Sequence, residues 1–77
     1  MVAALAAGVA AYVVKGIIDK NKLKEAMRDK EFREAWIDTV DRVAKKVKLK
    51  DVRSGNYLEV QGDGVAPDIH EGDRIFA

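Results

Sequence analysis

The chain has 77 residues, a formal net charge of +1, no cysteine and one histidine. A domain of this size buries only about 60% of its unfolded surface and usually needs a disulfide, a metal or a partner for stability. The composition excludes disulfides and cysteine-containing zinc sites. We therefore expect a domain without cofactors, stabilised by self-association, a membrane or another partner.

The first segment, residues 1–18, is rich in alanine and valine and carries one charge, on Lys15. Because alanine is the best helix former, the composition predicts an apolar helix over residues 1–20. Eighteen helical residues rise about 27 Å, close to the roughly 30 Å hydrocarbon core of a bilayer. No cation precedes Lys15, which argues against a secretory signal peptide.

Two interpretations of this helix stay open: a membrane anchor, or a helix that packs against other chains in a self-assembling protein. Apolar residues at spacings of three and four, with small residues between them, suit helix packing. The anchor predicts a membrane-associated protein whose charged part faces the cytoplasm, and the alternative predicts a soluble cytoplasmic one. The residues predicted to mediate association are Leu5, Gly8, Val9, Tyr12 and Gly16.

Residues 21–77 are predicted to form one small domain. Asp19 or Asn21 could cap a short helix at its start. A clear amphipathic pattern then predicts a second helix over residues 29–48, in which the aromatic residues are interpreted as core. The apolar residues that recur at spacings of three and four are Phe32, Trp36, Val40, Val43 and Val47.

A basic cluster from Arg42 to Arg53 holds six cations against a single acid, Asp51. Cations suit the C-terminal end of a helix, and they can also contact lipid phosphate or the acidic tail of the chain. Nucleic acid is not expected as a partner, because no aromatic residues alternate with these cations. The residues predicted to contact an anionic surface are Lys45, Lys46, Lys48 and Lys50.

The periodicity changes near Val47, and residues 48–77 are predicted to form strands. The sequence SGN at 54–56 is typical of a turn, and YLEVQG and RIFA are typical of strands. The predicted fold class is α+β, with a long apolar N-terminal helix, an amphipathic second helix and a small antiparallel β-sheet or part-barrel at the C-terminus.

The closing sequence VQGDGVAPDIHEGDRIFA, residues 60–77, carries a spaced set of glycines, acids and isoleucines. It resembles the nucleophile box of the LexA-type self-cleaving repressors and the related signal peptidases, which reads roughly V-x-G-D-S-M-x-P-x-I-x-x-G-D-x-I. The resemblance covers 18 of the 77 residues. The matching residues are Val60, Gly62, Asp63, Pro67, Ile69, Gly72, Asp73 and Ile75.

The sequence differs from this family at the positions of the family's catalytic residues. The nucleophilic serine falls on Gly64, which has no hydroxyl group, and no lysine follows it to act as the general base. The resemblance therefore implies a non-catalytic remnant or fragment that acts in dimerisation or in binding a peptide beside Gly62, Asp63 and Gly64. The acids around His70 lack the spacing of a calcium loop, so no metal site is predicted.

Taken from the residues alone, the primary prediction is a non-enzymatic association protein, either membrane-anchored or self-assembling. The expected partner is a second copy or a multi-chain assembly, with a membrane as the further candidate. The LexA-type remnant is the alternative.

Overall fold

A computed structural model of the protein describes residues 8–77 and contains two sheets and one short helix. Five strands form one sheet in the order β1-β5-β4-β3-β7, and β2 pairs with β6 in a second sheet. The β1–β5 and β2–β6 pairs are parallel, and the other pairs are antiparallel. The elements are β1 (Val9–Val13), β2 (Ile17–Ile18), α1 (Lys20–Asp29), β3 (Glu34–Asp41), β4 (Lys46–Asp51), β5 (Tyr57–Gln61), β6 (Gly64–Val65) and β7 (Arg74–Phe76).

One face of the five-stranded sheet, here called the closed face, supplies most of the core. Side chains alternate between the two faces of a strand, so every second residue points to this side. Helix α1 contacts β2, β5 and β7 and adds Leu23, Ala26 and Met27 to the core. The closed-face residues that are buried are Ala35, Ile37, Val47, Leu49, Leu58, Val60 and Ile75.

The predicted apolar helix over residues 1–20 is wrong for the residues described, because β1 and β2 occupy this segment. Uniformly apolar residues fit a period of 3.6 as well as a period of 2, so the spacing did not discriminate. Gly16 has a φ of 86°, which ends the first strand with a conformation that no helix contains. The β-branched residues of VAAYVV and II then favour strands.

The predicted transmembrane helix is corrected by the same observation. Within residues 8–77, none of the helical structure has the length and apolar character that a bilayer crossing requires. The longest helix of this part of the chain is α1, which has ten residues and a charged outer side.

The predicted amphipathic helix over residues 29–48 is also wrong, because β3, a tight turn and β4 lie there. A β-bulge lies between Ile37 and Thr39, inside the predicted stripe. A bulge adds one residue to the strand, so Trp36 and Val40, which are four apart and would share one face of a helix, lie on opposite faces of the sheet. Val43, a member of the predicted apolar stripe, is 93% exposed in the turn.

The predicted sheet is corrected in extent and in direction. It is not confined to residues 48–77, since β1 and β3 belong to it, and it contains parallel as well as antiparallel pairs. The local predictions nearby are confirmed: a turn precedes β5, and β5 and β7 lie on the two segments that were typical of strands.

Short polar side chains fix the boundaries of the helix and of both hairpins. The Asp19 carboxylate accepts a hydrogen bond from the Lys22 amide at 2.9 Å and caps α1. Asp41 accepts from the amides of Val43 and Ala44 in the β3–β4 turn. Asp51 accepts in the same way from the amides of the β4–β5 turn, so these acids are committed to local structure.

Candidate functional site

The second face of the five-stranded sheet, here called the open face, is not covered by any element of residues 8–77. Its side chains come from the alternate positions of all five strands. They are aromatic, basic, acidic and apolar, and none of them is buried. The open-face residues are Val9, Ala11, Val13, Glu34, Trp36, Thr39, Asp41, Lys46, Lys48, Lys50, Tyr57, Glu59, Gln61, Arg74 and Phe76.

Strand register places one row of aromatic and cationic side chains across the open face, near the end of the sheet where β4 ends and β5 begins. Tyr57 lies opposite Lys50, Lys50 opposite Trp36, and Trp36 opposite Arg74. The Arg74 guanidinium lies 4.0 Å from the centre of the Trp36 ring. The Nζ atoms of Lys48 and Lys50 lie 5.4 and 5.7 Å from the centre of the Tyr57 ring. Both arrangements are within the range of cation–π attraction.

Three of the four lysines predicted to contact an anionic surface are brought together on this face. Lys46, Lys48 and Lys50 alternate along β4 and point to the same side. Lys45 lies apart from them, in the β3–β4 turn with a φ of 62°. Lys46 pairs with Glu59 at 3.8 Å. No ion pair within residues 8–77 involves Lys48 or Lys50. Their contact with an anionic surface stays a prediction.

The predicted association residues lie on an edge strand and not on a helix. Gly8, Val9 and Tyr12 belong to β1 or precede it directly, and Gly16 follows it. Leu5 lies outside the described residues. Val9 and Val13 are 63% and 76% exposed. A role of this group in association is untested, but its members within residues 8–77 lie along one border of the sheet.

The backbone of β1 presents one of its two sides to β5 and the other to no strand of the described chain. The Tyr57 amide donates to the Gly8 carbonyl, and the Val14 amide donates to the Gln61 carbonyl. In a parallel pair such contacts involve every second residue of a strand. The N–H and C=O groups of Val9, Ala11 and Val13 therefore point away from β5, along what we call the outer edge of β1.

The glycines of the nucleophile-box resemblance form a tight junction with the β1–β2 connection. The Asp63 carboxylate accepts from the Gly16 amide at 2.9 Å, and the Asp63 amide donates to the Gly16 carbonyl at 2.9 Å. A Cβ on Gly62 would lie 2.8 Å from Ile18 Cγ1 and 2.9 Å from the Gly16 oxygen. The junction therefore explains Gly62 and Asp63 as packing residues, without a ligand.

The segment that follows this junction is held by Arg42, the first cation of the basic cluster, in a contact that the sequence did not predict. The Arg42 guanidinium donates to the carbonyls of Val65 and Ala66 at 3.1 Å each and to that of Ile69 at 2.9 Å. A peptide strand paired at these carbonyls would have to displace a charged donor. Peptide binding beside Gly64 stays a prediction, as does kinship with the LexA-type family.

Sequence reasoning missed the aromatic members of the open face. Trp36 was interpreted as a core residue, and Tyr57 was not considered. The signal was present in part, because Trp36 lies between the buried residues Ala35 and Ile37 and Tyr57 directly precedes the buried Leu58, which assigns both rings to the outward side of their strands. Only the register between strands shows that the two rings flank the same lysine.

Comparison with known proteins identifies no relative, so any function must be argued from the structure. No protein-family model matches the chain, and no curated protein and no solved structure matches it either. Across residues 8–77 there is no group of three or more histidine, aspartate or glutamate side chains that could hold a metal ion. The two features of the described residues from which a function can be proposed are the outer edge of β1 and the open face.

Proposed function

We propose that this protein is an association module that pairs with a second copy of itself along the outer edge of β1. The observation that carries the proposal is an uncharged edge strand, Val9–Val13, with its outer backbone groups unpaired by the described residues. Such an edge is a template for strand addition, and proteins that stay monomeric usually protect it with a charge, a proline or a cover.

The opposite border of the sheet differs and supports this choice. Strand β7 has three residues, and it begins with Arg74. A short edge that carries a charge is a poor template for pairing. Strand β1 is longer, and the exposed apolar side chains of Val9, Val13 and Ile17 continue along the same border. Pairing at β1 would therefore remove both unpaired backbone groups and apolar surface from water.

The sequence of β1 suits an antiparallel pair with a twofold axis at Ala11. An interface of this symmetry places residue i against residue j and residue j against residue i. On the open face Val9 would then contact Val13 of the second copy, with the small Ala11 side chains at the axis. On the closed face Ala10 would lie against Tyr12 of the second copy, a small residue against a large one. Each outward residue would exchange a pair of backbone hydrogen bonds.

The test is a comparison of the full chain with two substitutions at one position, Ala11→Pro and Ala11→Thr. Proline removes the outward N–H, and it is tolerated on an edge where that N–H faces away from the sheet. Threonine keeps the N–H and favours strands. We expect light scattering after size exclusion to give a dimer mass for the parent and for Ala11→Thr.

Ala11→Pro should weaken dimerisation by about thirtyfold, the effect of losing about 2 kcal/mol from the symmetric pair of edge hydrogen bonds. Circular dichroism should show the same fold for all three proteins. A monomeric parent at all accessible concentrations would overturn the proposal, and so would a proline variant that dimerises as tightly as the parent.

A further inference from the structure

The open face carries a second feature that the pairing of β1 does not use. One row near the end of this face alternates aromatic and cationic side chains across four strands: Tyr57 on β5, Lys50 on β4, Trp36 on β3 and Arg74 on β7. Neighbouring strands lie about 4.8 Å apart, so the two rings flank β4 at a separation of about 10 Å. Lys48 lies next to this row, on β4 two residues before Lys50.

The acids near this row are engaged by other groups. Glu34 pairs with Arg74 at 3.0 Å, and Glu59 pairs with Lys46 at 3.8 Å. Asp51 caps the β4–β5 turn. Within residues 8–77, Lys48 and Lys50 form no ion pair, and their ammonium groups lie over Tyr57. This end of the open face therefore offers two cations beside two aromatic side chains.

We infer that the open face binds single-stranded nucleic acid, with bases stacked on Tyr57 and on the Trp36–Arg74 pair and with phosphates at Lys48 and Lys50. Proteins that bind single strands without sequence preference combine these two elements, and each stacked base contributes about 1–3 kcal/mol. A guanidinium plane also accepts a stacked base, so Arg74 over Trp36 is part of the surface. The charge of the two lysines complements the phosphate backbone.

Along the chain, no aromatic residue alternates with the cations of Arg42–Arg53, and the sequence therefore does not predict nucleic acid as a partner. The alternation arises between strands, because β3 and β5 each place an aromatic ring beside a lysine of β4. A duplex would not expose its base faces to this row, so the geometry favours a single strand over a double strand.

The probe is a labelled oligothymidylate of about 12 nucleotides, a length within the site sizes of single-strand-binding modules. Binding is measured by anisotropy at about 50 mM and about 200 mM salt. Trp36 is the single tryptophan of the chain, so its fluorescence reports directly on the proposed site. We expect saturable binding that quenches Trp36 and weakens with salt.

The variant Lys48→Ala/Lys50→Ala should lose about tenfold or more in affinity. Its salt dependence should fall by about 1.4 in slope, since each phosphate neutralised on a single strand contributes about 0.7. The matched control is Lys20→Ala/Lys24→Ala on α1, which removes the same charge from an element that packs against the closed face. The control should bind as the parent does.

Several outcomes would overturn the inference. Three concern the oligonucleotide itself: no binding at the lower salt, an equal loss of affinity in the α1 control, and binding without a change in Trp36 emission. Two concern competitors: equal affinity for a duplex, and equal affinity for polyglutamate, which would indicate a general surface for polyanions or proteins.

The inference does not rest on β1 pairing. Ala11→Pro should bind the oligonucleotide through its own open face, so a failure of either proposal is recognisable from the other variant.

Discussion

The closed and open faces of the five-stranded sheet are built from the same strands and differ in what their side chains contact. On the closed face, Val47, Leu49, Leu58 and Val60 have no exposed surface. On the open face, the residues that alternate with them are lysines, Tyr57, Glu59 and Gln61. The side chains that form the core and the side chains that we propose to bind a ligand are therefore separate sets, although the two sets are interleaved residue by residue.

The largest expected effect comes from the closed face. Leu49 is fully buried between Ile37 and Leu58 of the neighbouring strands. Leu49→Ala should cost about 2–5 kcal/mol, because it removes buried methyl groups and leaves a cavity. For a domain of this size, this is a large part of the total free energy of unfolding. Urea denaturation measures it.

The open-face neighbour of Leu49 provides the control for this experiment. Lys48→Thr should change the free energy of unfolding by about 0.5 kcal/mol or less, as is usual for surface positions. A similar loss of stability from the two substitutions would contradict the division of the sheet into a closed face that forms the core and an open face that contributes little to stability.

A smaller effect is expected at the glycine junction, where the two glycines of the GDG sequence differ. In Gly62→Ala the new Cβ would meet the Gly16 carbonyl oxygen at 2.9 Å and two core side chains. A backbone atom cannot move aside easily, so we expect a loss of about 1–3 kcal/mol.

Gly64→Ala is the matched substitution, two residues further along the chain. Its Cβ would meet only Ile17 Cδ1, at 2.9 Å, and the Ile17 side chain is 51% exposed. That side chain can rotate into solvent, so a change of about 0.5 kcal/mol or less is expected. Equal denaturation midpoints for the two variants would show that the junction is not closely packed in solution.

A smaller loss of stability than those of Leu49→Ala and Gly62→Ala should come from Arg42, which lies at the surface and links the β3–β4 hairpin to the 65–69 segment. Arg42→Met removes three hydrogen bonds to carbonyls. Because water can replace part of them, we expect a loss of about 1 kcal/mol. Amide hydrogen exchange should become faster at Ile69, whose N–H is held by the Ala66 carbonyl.

The matched control for Arg42 is Arg53→Met, the same change in the exposed β4–β5 turn. It should leave both the denaturation midpoint and the Ile69 exchange rate as in the parent. Unchanged exchange in Arg42→Met would mean that the guanidinium does not hold this segment in solution.

Sequence reasoning located the elements that depend on local chemistry. The turn at 54–56, the strand YLEVQ and the strand RIF were predictable, because glycine, asparagine and alternating apolar residues act over a few positions. Asp19 was one of two candidate caps, and it caps α1. The two long helices were not correct, because uniform apolarity in residues 1–18 fits a helix as well as a strand, and because the bulge after Ile37 puts Trp36 and Val40 on opposite faces of the sheet.

The candidate site was predictable only in its parts. Lys46, Lys48 and Lys50 were singled out as a basic group, and Val9 and Tyr12 were singled out for association. The sequence did not show that the lysines of β4 lie beside aromatic side chains of the neighbouring strands. Trp36 reaches Lys50 and Arg74 through strand pairs that join positions up to 38 residues apart.

The sequence by itself therefore determined the composition of the molecule: a small chain without cysteine, with 35% charged and 6% aromatic residues. It also determined the local turns and caps, because those depend on neighbouring residues. Only the tertiary structure decided that β1 becomes the edge of the five-stranded sheet, that β2 pairs with β6, and that Tyr57 and Trp36 flank one lysine. These properties depend on strand order and register, which arise from the packing of the whole core and not from any local segment.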